Sequence, residues 1–146
     1  MRAPATTFLC LLYLLGVATS TQAQGVEWEI LNAEVLSLYR QGQYDRAVVV
    51  ARKTLEVAEV AVGPNHPSVA TSLNSLAAVY RAQGQDALAG PLYTRALAIQ
   101  EEALGPDHPE VAQSLEHLAV LYRATKREKE ADKVEQRAAN IRAIKQ

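Results

Sequence analysis

Arg81 and Arg123 are the side chains best placed to hold an anion, because they stand 42 residues apart in a chain that repeats at that interval. Arg40 lies near the corresponding place one unit earlier. A row of guanidinium groups can grip carboxylates through paired N–H donors. Asn32 and Asn74 share the same spacing of 42. A carboxamide both donates and accepts, so it can pair with the backbone of an extended peptide whatever that peptide's sequence. Glu116 takes the third place in this series and interrupts it. These residue types suit gripping a chain better than breaking one.

Catalytic sets do not assemble from the sequence. No nucleophile, base and orienting group fall at spacings that local structure would bring together. Cys10 is the one thiol and lies in an N-terminal apolar run. Ser72 and Ser114 are repeat positions with no third group near them, and Glu101 and Glu102 point to different sides of a helix. No Gly-rich phosphate loop occurs. The chain therefore reads as a non-enzyme without a cofactor. His66 and His108 each precede a proline, a whole repeat apart. Metal ligands must converge within a few ångströms, so the two histidines read as turn and cap residues and no metal site is expected. His117 reads as a surface histidine on a helix, and Trp28 as an anchor that packs the first end.

The elements that carry these residues follow from the repeat. Gly63-Pro64-Asn65-His66-Pro67 returns as Gly105-Pro106-Asp107-His108-Pro109, and residues 63–82 match 105–124 at 13 of 20 positions. Over the full period of 42 the identities number 17. Block 21–62 matches 63–104 at nine positions, among them Leu31/Leu73, Asn32/Asn74 and Ala47/Ala89, and forms a first, diverged unit. A fixed period of this length is the mark of a solenoid. Val69, Leu73, Leu76, Ala77 and Tyr80 recur at helical spacing and make one apolar stripe. Proline at the first turn starts a helix without losing a hydrogen bond. Glycine after the last turn ends one. The expected helices are 27–40, 44–61, 67–82, 86–104, 109–124 and 128–144, with no strand.

Small residues at fixed points narrow the choice of solenoid. Ala77, Ala89 and Ala96 recur as Ala119, Ala131 and Ala138, and Tyr80 recurs as Tyr122. Leu-x-x-Leu-Ala-x-x-Tyr-x-x-x-Gly, with Ala, Tyr and Ala down the following helix, resembles the tetratricopeptide repeat. The period of 42, with GPDHPEVAQSLEHLAVLYRA and GPLYTRALAIQEEAL, is similar to the repeats of kinesin light chain. The resemblance implies an all-α, right-handed superhelical solenoid of about three helix-turn-helix units, at 28–62, 67–104 and 109–144. It also implies that the first helix of each pair lines a concave groove. The inward positions would then be Asn32, Leu36, Tyr39 and Arg40, then Thr71, Asn74, Ala78 and Arg81, then Gln113, Glu116, Val120 and Arg123. Departures fall in the end units: Glu34 for leucine, Leu38 for tyrosine, Lys126 for glycine and Glu135 for tyrosine. Polar replacement is expected where a solenoid end has no neighbour. The charged run around Lys126–Lys133 reads as a solvated face.

The first residues read differently. Arg2, the apolar run Phe8–Ala18 and the small residues up to Ala23 have the layout of a secretory signal peptide. The run is too short to span a bilayer. Cleavage is placed after Ala23, with Ser20 as the alternative, leaving 24–146 as the folded domain. Beyond the leader the chain has no cysteine, and 16 acidic residues stand against 14 Lys and Arg. That balance argues against a nucleic-acid partner. The expectation is an exported protein, periplasmic or secreted, without a stable membrane span in its mature form. It would bind a protein or extended peptide in the groove, with acidic peptides among the candidates. The alternative is a structural unit that self-associates through its ends.

Overall fold

The computed structural model describes residues 6–144, with side chains from residue 22 onward, and its regular structure there is all α-helix joined by short turns. Six helices follow one another, α1 (Thr6–Arg40), α2 (Tyr44–Val62), α3 (Pro67–Ala82), α4 (Asp86–Leu104), α5 (Pro109–Ala124) and α6 (Glu128–Ile144). No strand occurs among the described residues. Five helices match the expected bounds to within one residue. α1 differs, since it begins at Thr6 and not near residue 27. No proline or glycine stop separates the apolar run from Trp28 except Gly25, where an added Cβ would meet nothing within 4 Å and which can remain helical at a cost of about 1 kcal/mol. Of the expected leader at 1–23, residues 1–5 lie outside the described residues, and side chains are described only from residue 22.

Cap chemistry sets the starts of α3 and α5. His66 Nδ1 accepts the Ser68 backbone N–H at 3.1 Å, and His108 Nδ1 accepts that of Glu110 at 3.3 Å. The imidazole thus satisfies one of the free N–H groups of the first turn, with proline beside it. Gly63 and Gly105 leave the preceding helices with φ of 84° and 90°.

The turn inside each pair closes in one way three times. Gln43 N–H bonds Leu38 C=O at 2.9 Å, Gln85 bonds Tyr80 at 2.8 Å and Arg127 bonds Tyr122 at 2.7 Å. The residue before each donor is left-handed: Gly42 at 70°, Gly84 at 74° and Lys126 at 60°. These are Schellman closures, and the last unit makes its own with lysine where glycine is the unstrained choice.

α1 packs on α2, α3 on α4 and α5 on α6, while α2 meets α3 and α4 meets α5. The alanines let the axes approach: Ala47, Ala77, Ala89, Ala96, Ala119, Ala131 and Ala138 are at most 2% exposed. Tyr80 fills the gap beside them, and Tyr122 packs half-buried against the same cluster. Trp28 anchors the first end, its Nε1 donating to Ser72 Oγ at 2.8 Å. On α6 the buried stripe is Ala131, Ala138 and Ile141. Ile144, expected in that stripe, is exposed at the last turn.

Candidate functional site

Residues of the first helix of each pair converge on a cavity of about 520 Å³. α1 contributes Leu36 and Tyr39, α3 contributes Asn74 and Arg81, and α5 contributes Gln113 and His117. Tyr93 and Gln100 from α4 close its floor. Burial pushes the Tyr93 hydroxyl up to about 12, against the pull of Arg81, so it stays protonated.

A directed chain of hydrogen bonds orients Asn74. Ser114 Oγ has a single hydrogen and gives it to Gln100 Oε1. It therefore accepts from Asn74 Nδ2, at 3.1 Å. That fixes the carboxamide, and Asn74 Oδ1 is left buried without a partner. Asn32 Oδ1, Arg81 Nε and His117 Nδ1 are in the same condition. Leaving a buried polar atom unpaired costs roughly 1–3 kcal/mol. All four lie on the first helices α1, α3 and α5, and three belong to residues that line this cavity.

The expected site residues divide accordingly. Tyr39, Asn74 and Arg81 are brought together at the cavity. Asn32 is half-buried on α1 and is not among the lining residues, although its carbonyl is unpaired. Arg40 is exposed at the end of α1, away from the lining. Glu116 accepts two bonds from Arg142 of α6, at 2.7 and 2.8 Å, and these hold its carboxyl below the usual carboxylate range. Arg123 departs furthest from expectation. It does not continue a row of free guanidiniums from Arg81, because Glu128, Asp132 and Glu135 already surround it at 2.6, 3.0 and 2.7 Å. The charged run expected to be merely solvated supplies two of those partners, Glu128 and Asp132, and Glu135 lies just beyond it.

His117, expected as a surface histidine, instead lines this cavity. It lies half-buried, with its ring 5.4 Å from that of Tyr93. Burial first, and then the Arg81 charge, hold its imidazole below the ordinary value. The available signal was its step of four from Gln113, which puts both on one helix face.

A second cavity, of about 760 Å³, opens on another side, between α4 and α5. Its origin is legible in the repeat. The equivalent place between α2 and α3 is filled by Val48 and by Arg52, whose guanidinium donates twice to Tyr80 Oη at 3.0 and 2.6 Å. Between α4 and α5 those positions hold Gly90 and Thr94. Among the described residues no group of three or more His, Cys, Asp or Glu could hold a metal ion, and no helix is long and apolar enough to cross a membrane.

The family model described as tetratricopeptide repeat matches residues 29–89 and 68–143, nearly the whole of the helical array. The chain belongs to the tetratricopeptide repeat family. Its fold matches the crystal structure of BtubC (BKLC) from P. vanneervenii with a TM-score of 0.77 and 23% identity, over 82% of this chain and 47% of that one. It matches a kinesin light chain from Podosopora anserina, with nearly identical TPR-like repeats, at a TM-score of 0.73 and 26% identity, over 80% of this chain and 56% of that one. The chain thus spans about half the length of the solved structures it resembles. No curated protein matches it. The likeness is to tetratricopeptide repeats of the kinesin-light-chain kind. Proteins of this family are in general protein–protein interaction scaffolds and not catalysts.

Proposed function

We propose that this tetratricopeptide repeat protein is exported and binds an extended segment of another protein in the groove lined by α1, α3 and α5. The observation that carries the reading is the set of unpaired buried polar atoms on those helices, Asn32 Oδ1, Asn74 Oδ1, Arg81 Nε and His117 Nδ1. A peptide backbone offers an N–H group to the Asn74 carbonyl, and an acidic side chain offers a carboxylate to Arg81. Among the described residues no carboxylate is bound to Arg81 in the way that Glu128 and Glu135 are bound to Arg123. Export rests on the arrangement of Arg2, the apolar run and Ala23.

Two measurements test the two halves. The exported form is expected to begin at Gln24, with Thr21 as the alternative, and an intact mass from the exported fraction decides this. Retention of Met1 there would remove the leader. For the groove, a partner co-purified with the wild type is expected to be lost from Asn74→Ala combined with Arg81→Glu, while helicity by circular dichroism is unchanged. Equal recovery by wild type and variant would overturn the groove reading.

A further inference from the structure

We propose that Arg81 and His117 together form a carboxylate subsite in which docking of an acidic side chain loads a proton onto His117. The inference rests on the groove reading and deepens it by making binding depend on pH.

The geometry supplies both halves of the subsite. Arg81 Nε and His117 Nδ1 are buried atoms without partners, on neighbouring helices, and both residues line the same cavity. Arg81 offers an N–H permanently. His117 offers one at Nδ1 with certainty only when the ring is protonated, since a neutral imidazole carries a single N–H. Without ligand the ring is disfavoured as a cation by burial and by the positive Arg81 from α3. Opposing groups are weak. Glu116 on the same helix favours the cation, but it is engaged by Arg142 from α6. Tyr93 from α4, its hydroxyl pushed up by burial, stays uncharged near neutrality, and Tyr39 from α1 and Glu110 from α5 itself also line the cavity. A carboxylate seated between the two cationic groups reverses the balance: it offsets Arg81 and attracts the imidazolium.

The sign follows from linkage. The bound state takes up one proton from solvent at His117, so the complex holds more protons than the separated partners. Affinity must then rise as pH falls through the imidazole range. It levels off once the free protein is also protonated.

The probe is acetyl-hexaglutamate-amide, with the hexaglutamine peptide as control. Calorimetric titration near about pH 6.5, in two buffers of different ionisation enthalpy, is expected to report uptake of a proton with hexaglutamate and none with hexaglutamine. Affinity for hexaglutamate is expected to increase severalfold from about pH 8 to about pH 6. His117→Asn should bind it with a flat profile over that range, and Arg81→Gln should weaken binding at every pH. The C2-proton NMR titration of His117 in the wild type, which needs no variant to fold, is expected to move to higher pH when hexaglutamate is present. An unmoved titration, or an equal pH slope in His117→Asn, overturns the subsite. Absence of hexaglutamate binding overturns it too, while partner capture that depends on Asn74 would leave the groove reading standing.

Discussion

Lys126 shows what a single residue contributes when a repeat departs from its pattern. Its φ of 60° is the left-handed value that Gly42 and Gly84 adopt at the equivalent turns. For a residue with a Cβ that conformation costs roughly 1–2 kcal/mol, and glycine gives part of this back through its freer unfolded chain. Lys126→Gly is therefore expected to raise stability by about 0.5–1 kcal/mol, read as a higher urea midpoint at unchanged slope. His117 acts on stability through pH. Its folded-state titration lies below the ordinary imidazole value, from burial and then from Arg81. The native state therefore binds fewer protons than the unfolded chain as pH falls from about 6.5. Its stabilising contribution is complete above that value and is lost on acidification toward the folded-state value. The melting temperature should fall across this window in the wild type and fall less in His117→Gln. Glu116 and Glu135 titrate below the carboxylate range because of Arg142 and Arg123, so they stay ionised there and do not supply the slope. The sequence made Tyr39, Asn74 and Arg81 legible because the resemblance to tetratricopeptide repeats implies that the first helix of each pair faces inward. It did not disclose that Arg123 is neutralised, since Glu128, Asp132 and Glu135 reach it only through the fold of α6.

At the scale of the element, the helices were legible almost to the residue, because proline, glycine and the histidine caps mark their ends chemically. α1 was not, because its start depends on residues that carry no stop signal. Packing between elements was legible in kind and not in detail. The alanines announced close axes, whereas the gap between α4 and α5 appears only when Gly90 and Thr94 are set against Val48 and Arg52. Gly90 weakens α4 twice, by its backbone freedom and by leaving that gap. A Cβ built there meets Leu121 Cδ2 at 3.4 Å, an ordinary contact. Gly90→Ala is expected to stabilise the protein by about 1 kcal/mol. Chemical denaturation would measure it, and a loss of stability would mean that the α4–α5 contact is tighter than 3.4 Å allows. The reverse holds at Ala77 and Ala119, which have no room around them, so enlarging either overpacks the pair at about 1–3 kcal/mol.

The outer faces of α1 and α6 differ, and the difference bears on whether this chain stacks on copies of itself. Within the array, second helices bury Tyr93 and Gln100 against the next unit. On α6 the equivalent places hold Glu135, bound to Arg123, and Arg142, bound to Glu116. Stacking another copy there would dehydrate these charges, and such a cost is recovered only with fresh, well-placed partners. α1 has the more apolar outer face, with Val26 and Ile30 exposed. Glu27, Glu29 and Glu34 flank them and are also exposed, so a second copy of α1 would bring like charges together. Among the described residues of that face, two exposed aliphatic side chains fall far short of the roughly 1,000 Å² that a stable association needs. Sedimentation velocity of the exported form is accordingly expected to show a monomer from micromolar to hundred-micromolar concentration, with Ile30→Lys indistinguishable from wild type. A sedimentation coefficient that climbs with concentration, and is restored to the monomer value by Ile30→Lys, would make the outer face of α1 an interface and shift the function from binding a foreign chain to assembling its own.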